Sequence, residues 1–221
     1  MGWNDGWAGF ALALVVFFAL HAIPVRPGIK GPIVARFGRA AFGIGYSLLS
    51  LATLVWLIRA AGRAPYVELW PLTDGARHVA LGLMALSVLI LALGIARPNP
   101  LSFGGGGNFR YDPAHPGIVG YTRHPLLAAI GLWALAHLIA NGDLAHVILF
   151  GLFAGFSLLG MRMIDRRRRR ELGHATWQHY AATTRELSIG AKGAVRLGLA
   201  VTLYLFLILV HGPVIGVWPV G

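Results

Sequence analysis

The sequence predicts an all-α integral membrane protein, a bundle of about six transmembrane helices with a basic interfacial helix between the fifth and the sixth. Three observations carry this. Of 221 residues, 57% are hydrophobic and only 12% are charged, where a soluble domain carries about 25% charged residues. Mean hydropathy is +0.67. Apolar runs recur at close to the ~20 residues that a helix needs to cross the hydrocarbon core, and the cationic residues gather in alternate gaps between them. The length suits one domain, taken as residues 1–221.

The runs cover residues 7–23, 41–60, 78–96, 118–140, 144–161 and 195–218. The first is expected to be a retained helix rather than a cleaved signal peptide. A signal peptide places positive charge before its apolar core, whereas here Asp5 precedes the core and the cations follow it. The third and fifth runs are short and leave little room for tilt. Asn141-Gly142-Asp143 alone separates the fourth from the fifth, which predicts a tight helical hairpin. Gly104–Gly107 is expected to be a flexible loop, and without a following Gly-Lys-Ser or Gly-Lys-Thr it is not a phosphate-binding loop. The basic stretch 162–194 predicts an amphipathic helix on the membrane surface.

Cations set the expected orientation. Sixteen of the 19 lysines and arginines follow runs one, three and five, in clusters that include Arg26, Lys30, Arg36, Arg39, Arg97, Arg110, Arg123 and Arg166 to Arg170. The other side holds Arg59, Arg63 and Arg77. This predicts a multi-pass protein of a bacterial inner membrane with both termini outside the cytoplasm. A net charge of +11 would suggest nucleic acid in a soluble chain. Between apolar runs it suits anionic lipid head groups instead, and no nucleic-acid partner is expected. The chain has no cysteine, which excludes disulfides, iron–sulfur clusters, thiolate zinc sites and cysteine nucleophiles.

Histidines are then the candidate ligands. Ionisable residues at membrane depth are costly and point to function. Four of the nine histidines qualify: His21, His124, His137 and His211. His21 and His137 have almost wholly apolar neighbours, and an interhelical hydrogen bond is the plain structural alternative for each. His124 and His137 are 13 residues apart, or about 220° around a helix and about 20 Å along it, so they face different ways. Asn141 and Trp133 each lie four residues from His137 and share its face. Asn141 is placed to orient the imidazole, and Trp133 to pack on a flat cofactor. Two neutral imidazoles on apolar helices suit haem better than zinc, which takes three or four protein ligands, or calcium, which takes oxygen. Arg26, Arg36, Arg39 and Arg123 are available for its propionates. His21 with His124 is a depth-matched pair.

The chain resembles the NnrU family of bacterial membrane proteins and, through it, the zeta-carotene isomerases. The likeness runs nearly end to end, through His21 with Pro24, Tyr46-Ser47-Leu48, Leu69-Trp70, Thr122-Arg123-His124-Pro125, Trp133-Ala134-Leu135-Ala136-His137, Asn141-Gly142-Asp143 and Ile164-Asp165-Arg166-Arg167. The resemblance implies a haem b, and carried over residue by residue it puts the axial ligands, and so the metal site, on His21 and His137. His124 and Arg123 would then hold a propionate or a substrate head group. The isomerases have a cysteine three residues before the second ligand. This chain has Ala134 there, so a histidine-to-cysteine ligand switch is impossible. The implied role is a haem-binding membrane protein associated with denitrification and nitric oxide reduction, or with an isomerase-like reaction on an apolar small molecule.

Arg123-His124-Pro125 and the segment Asp165 to Tyr180 also resemble the isoprenylcysteine carboxyl methyltransferases and related phospholipid methyltransferases. That likeness implies an S-adenosylmethionine pocket at the inner face. Leu127 and Ala129 replace that motif's tyrosine and glycine, which fits a shared fold with the methyl-donor chemistry lost. A non-enzymatic assembly factor, with buried histidines joining helices, is the third reading.

Overall fold

The structure is a computed structural model and describes residues 6–185 and 190–220. Among these it is all-helical and contains no strand. Seven α-helices follow in order: α1 (Gly6–Ala22), α2 (Pro27–Ala61), α3 (Asp74–Gly94), α4 (Pro125–Ala140), α5 (Leu144–Leu172), α6 (His174–Ala181) and α7 (Ala191–Ile215). Four of them, α2, α3, α5 and α7, are long and apolar enough to cross a membrane. The other two apolar helices, α1 and α4, have 17 and 16 residues, or about 25 Å of rise each. The chain divides into two compact units. One comprises residues 1–69 and 143–149, the other residues 70–142 and 150–221.

In the first unit α1 lies against α2. Phe10, Ala13 and Phe17 recur at helical spacing on one face of α1 and are buried, as are Thr53, Leu57, Ala60 and Ala61 of α2. Arg26 caps α2 in extended conformation, and Pro27 opens it, where a missing N–H costs nothing. The cationic stretch that hydropathy leaves as a loop is therefore helical. It ends in a kink at Gly38, whose φ of 84° suits glycine rather than a residue with a Cβ. The predicted second span is the part of α2 beyond that kink. The 66–68 segment closes on the start of α5 through Leu144 N–H to Val67 O at 2.9 Å.

In the second unit Thr73 caps α3, its hydroxyl accepting from the Ala76 N–H at 3.2 Å. Helix α3 packs on α4 and α7. Ser87 donates to the Ala129 carbonyl at 2.7 Å, which satisfies a hydroxyl buried between apolar helices. Gly94 lets Pro125 approach, since a Cβ there would stand 2.5 Å from the proline ring. Arg196 donates to the carbonyls of Ala92 and Ile95 at 2.6 and 2.9 Å, capping the end of α3 from α7. On α7 only Ala200 is buried, while Leu199, Phe206 and Leu209 are 60%, 56% and 66% exposed. A face this apolar is stable in hydrocarbon and not in water.

Two expectations are corrected here. The run 118–140 is helical only from Pro125, because residues 117–120 form a 3₁₀ turn. The arginine block is not on a separate surface helix. Helix α5 continues unbroken through Arg166 to Arg170 as far as Leu172, and Gly173, at φ 78°, starts the short α6. Residues 186–189 of that predicted stretch lie outside the described ones.

Candidate functional site: a polar cluster and two apolar histidines

The densest polar cluster of the second unit is built on the connection from α3 to α4. Ala96 takes a left-handed φ of 55°, and its N–H bonds the Gly104 carbonyl at 2.9 Å. The glycine run is thereby tied to the end of α3, with Gly106 N–H also bonding the Arg97 carbonyl at 3.0 Å. Gly104 and Gly107 have positive φ, and a Cβ on Gly105 would stand 2.8 Å from the Arg97 carbonyl. Inside this turn Asn99 is 1% exposed. Its backbone N–H bonds Asn108 Oδ1, its Oδ1 accepts from Leu101 N–H, and its Nδ2 donates to the Arg123 carbonyl at 2.9 Å. The last of these fixes the backbone just ahead of α4, and the other two hold the connection that carries Asn99.

Arg123 and His124 then converge on Asp165 of α5. Arg123 donates through Nη2 to Oδ2 at 2.8 Å and through Nε to Oδ1 at 3.4 Å, a forked pairing that sets both distance and angle. His124 reaches Asp165 Oδ1 through Nε2 at 3.1 Å and Ser102 Oγ through Nδ1 at 2.9 Å. The carboxylate only accepts, so Nε2 carries the proton and Nδ1 accepts from the serine. Burial pushes this imidazole below the usual histidine range, and the neighbouring Asp165 only partly opposes that. The ring is therefore neutral at pH 7. The Arg123 guanidinium also faces the Trp177 ring at 5.6 Å, and Arg169 stacks on the same ring at 4.0 Å.

Beside this network is an open cleft of about 580 Å³. Its polar end is Tyr121 to His124 with Asp165 and Arg162, and its apolar wall is Gly155, Leu158 and Leu159 of α5.

The two apolar-flanked histidines stand one in each unit. In the first, His21 Nδ1 bonds the Phe17 carbonyl at 2.8 Å, and its ring lies 4.0 Å from that of Phe17. Tyr46 donates to the His21 carbonyl at 3.1 Å and lines an apolar groove of about 420 Å³ that also holds Phe37 and Phe42. In the second unit His137 Nδ1 bonds the Trp133 carbonyl at 2.9 Å, and its ring packs on Trp133 and Phe150 at 5.1 and 4.9 Å. Carbonyl oxygens only accept, so both histidines carry their proton on Nδ1 and leave Nε2 as the acceptor nitrogen. Asn141 does not hold the imidazole. Its Nδ2 donates to the His137 carbonyl at 2.8 Å and closes the end of α4, and the orienting bond comes from Trp133. Among the described residues no three histidine, aspartate or glutamate side chains form a metal-binding group.

A family model described as NnrU protein matches residues 9–219. The chain belongs to the NnrU family. No curated protein and no solved structure matches it. In this NnrU chain the structure joins Arg123 and His124, and adds three partners that sequence reading passed over as such. Asp165 stands out in the sequence only within the two motif likenesses, and Asn99 and Ser102 were not singled out. Asn99 had one legible signal: it stands between Pro98 and Pro100. An amide there is free of helix and sheet and available to tie a turn. Ser102 had none, since a serine bonded across 22 residues leaves no local trace.

Proposed function

We propose that this NnrU-family membrane protein binds haem b, with His21 and His137 as axial ligands. The observation that carries the reading is the tautomer. Each imidazole commits Nδ1–H to the carbonyl one helical turn before it, which is how proteins orient a ligating histidine and raise its basicity. His124 is held differently, with Asp165 and Ser102 engaging both of its ring nitrogens. This weighs against the depth-matched pair and leaves His124 a structural and head-group role beside Arg123. Each proposed ligand has aromatic surroundings within its own unit, Phe17 and Tyr46 around His21 and Trp133 and Phe150 around His137, which suit a flat apolar macrocycle. When bound, a haem held by two imidazoles supplies a one-electron iron centre. The chain's own residues keep each ligand ring in one orientation and supply apolar surroundings.

The same reading takes the chain as a multi-pass protein of a bacterial inner membrane with its arginine-rich loops inside and both termini outside. Its link to denitrification or to an isomerase-like reaction rests on the family alone.

The test is an optical spectrum of detergent-purified protein expressed with ample haem supply. A Soret band with split visible peaks on reduction is expected. His21→Ala and His137→Ala should lose the haem or make it five-coordinate, while His124→Ala keeps the six-coordinate spectrum. His211 commits Nδ1 to the Val217 carbonyl at 2.6 Å, and its ring lies 6.3 Å from that of His137, so His211→Ala is the internal control. A lost ligand field in His211→Ala with an unchanged His21→Ala would replace His21 in the assignment. A folded protein without haem would end the cofactor reading.

A further inference from the structure

The cleft beside Arg123 has a use that the haem reading does not supply. Gly155, Leu158, Leu159 and Arg162 are spaced at i, i+3, i+4 and i+7 and form one stripe of α5. The stripe is apolar from Gly155 to Leu159, about one turn or roughly 6 Å, and reaches a cation about 10 Å from its start. Leu158 and Leu159 are 63% and 53% exposed, so the wall is open along its length. At the polar end Arg162 is exposed and has no ion pair or hydrogen-bond partner among the described residues. Arg123 is held in place by Asp165 through Nε and Nη2, which leaves its Nη1 donors for something else. The lining charges are Arg123 and Arg162 against Asp165, with His124 neutral, and one net positive charge remains. An apolar trough that ends in fixed and mobile guanidinium donors matches one class of molecule, an amphiphile with an anionic head.

We propose that the cleft binds one anionic phospholipid, its phosphate held by Arg162 and Arg123 and one acyl chain laid along Leu159, Leu158 and Gly155. Guanidinium forks match phosphate oxygens in geometry and charge. The Asp165–Arg123 pair keeps Arg123 aimed without neutralising Arg162. The glycine gives the acyl chain room, since a Cβ there would meet nothing within 4 Å. The site does not depend on haem, so its failure and the failure of the haem reading are separate results.

The experiment is lipid retention by the full chain. Protein in neutral detergent is exchanged extensively, offered dioleoyl phosphatidylglycerol or dioleoyl phosphatidylcholine, and read by native mass spectrometry. One phosphatidylglycerol per chain should be retained, at least about tenfold more tightly than phosphatidylcholine. Arg162→Gln should lower retention by about tenfold or more, the scale of one lost charged contact. Gly155→Phe fills the trough where there is space and leaves the polar end untouched. It should lower retention similarly with the helical circular dichroism unchanged, and so tests the site even if Arg162→Gln fails to fold. Arg166→Gln with Arg167→Gln and Arg170→Gln, which changes arginines outside the cleft lining, should keep the bound lipid. Inorganic phosphate at millimolar concentration should not displace it, because phosphate has no chain to bury. Equal retention of the two lipids, full retention by both cleft variants, loss in the triple arginine variant alone, or displacement by inorganic phosphate would each overturn the proposal.

Discussion

At the scale of single residues, the structure turns on which nitrogen of each imidazole carries the proton. His21 and His137 point Nδ1–H at the carbonyl one turn back on their own helix, while His124 spends both nitrogens on Asp165 and Ser102. That difference has a pH consequence. The folded His124 binds its proton less readily than the ordinary histidine pKa of 6.5, chiefly because it is buried. Below about pH 6.5 the unfolded chain therefore holds more protons at this position than the folded one, and acidification favours unfolding. Above that range the position contributes no pH dependence. Melting temperature in detergent should fall between pH 7.5 and pH 5.5 in the parent protein. His124→Gln should start lower at pH 7.5, because Asp165 and Ser102 each lose a bond, and should then fall less over the same interval. An equal pH slope in the two proteins would show that His124 is not the group that resists its proton. The histidines themselves were readable as candidates from apolar flanks. Their tautomers were not, because a tautomer is set by the acceptor that each ring meets, as with Asp165 forty-one residues from His124.

At the scale of helices, hydropathy located α1, α3, α5 and α7 well, because their apolar composition outlasts any detail of packing. It misjudged boundaries wherever polar sequence is helical or apolar sequence is not. Lys30 and Arg36 lie in α2 ahead of the Gly38 kink and arginines fill the end of α5, since lysine and arginine are good helix formers. Ile118 and Val119 are buried in a 3₁₀ turn and not in a span. The continuous α5 also divides the arginine block into two kinds of residue. Arg168 donates to the Ser102 carbonyl at 3.2 Å, and Arg169 stacks on Trp177. Arg166 and Arg170 are exposed, and Arg167 meets only Glu171 on its own helix, a contact of small value. Changing Arg168 and Arg169 together to glutamine should cost about 1–3 kcal/mol of stability, chiefly from the Arg168–Ser102 hydrogen bond and the Arg169–Trp177 cation–π contact, with little from the exposed Arg168–Glu171 pair on the same helix. Changing Arg166, Arg167 and Arg170 should cost less than about 1 kcal/mol. Chemical denaturation in mixed micelles measures both. Equal losses would mean that the block acts by bulk charge alone and that its contacts contribute nothing.

At the scale of the whole molecule, the distribution of charge carries more than any contact. Sixteen of the 19 cationic side chains follow the first, third and fifth apolar runs, and insertion reads such counts in the short segments flanking each span. The structure lengthens two of those segments into helix without moving their charges to the other end of a span: Lys30 and Arg36 stay ahead of the Gly38 kink, and Arg166 to Arg170 stay at the far end of α5. The corrected boundaries therefore leave the charge asymmetry between the ends of the spans unchanged. The same asymmetry constrains α4: if it failed to cross, the arginine block after α5 would fall on the opposite side from the basic segments before α4, whereas α1 decides only the side of the N-terminus. Six crossings would keep every dense cluster on one side and return the chain to the side from which it started. A reporter that is active only outside the cytoplasm, fused after Gly221, should therefore be active, and the same reporter inserted between Gly173 and His174 should be silent. A reporter in the turn at Gly142, between α4 and α5, should again be active. Activity at Gly173 with silence at Gly142 would invert the orientation. Activity at both sites would mean that α5 does not cross, despite being one of the four helices long enough to do so.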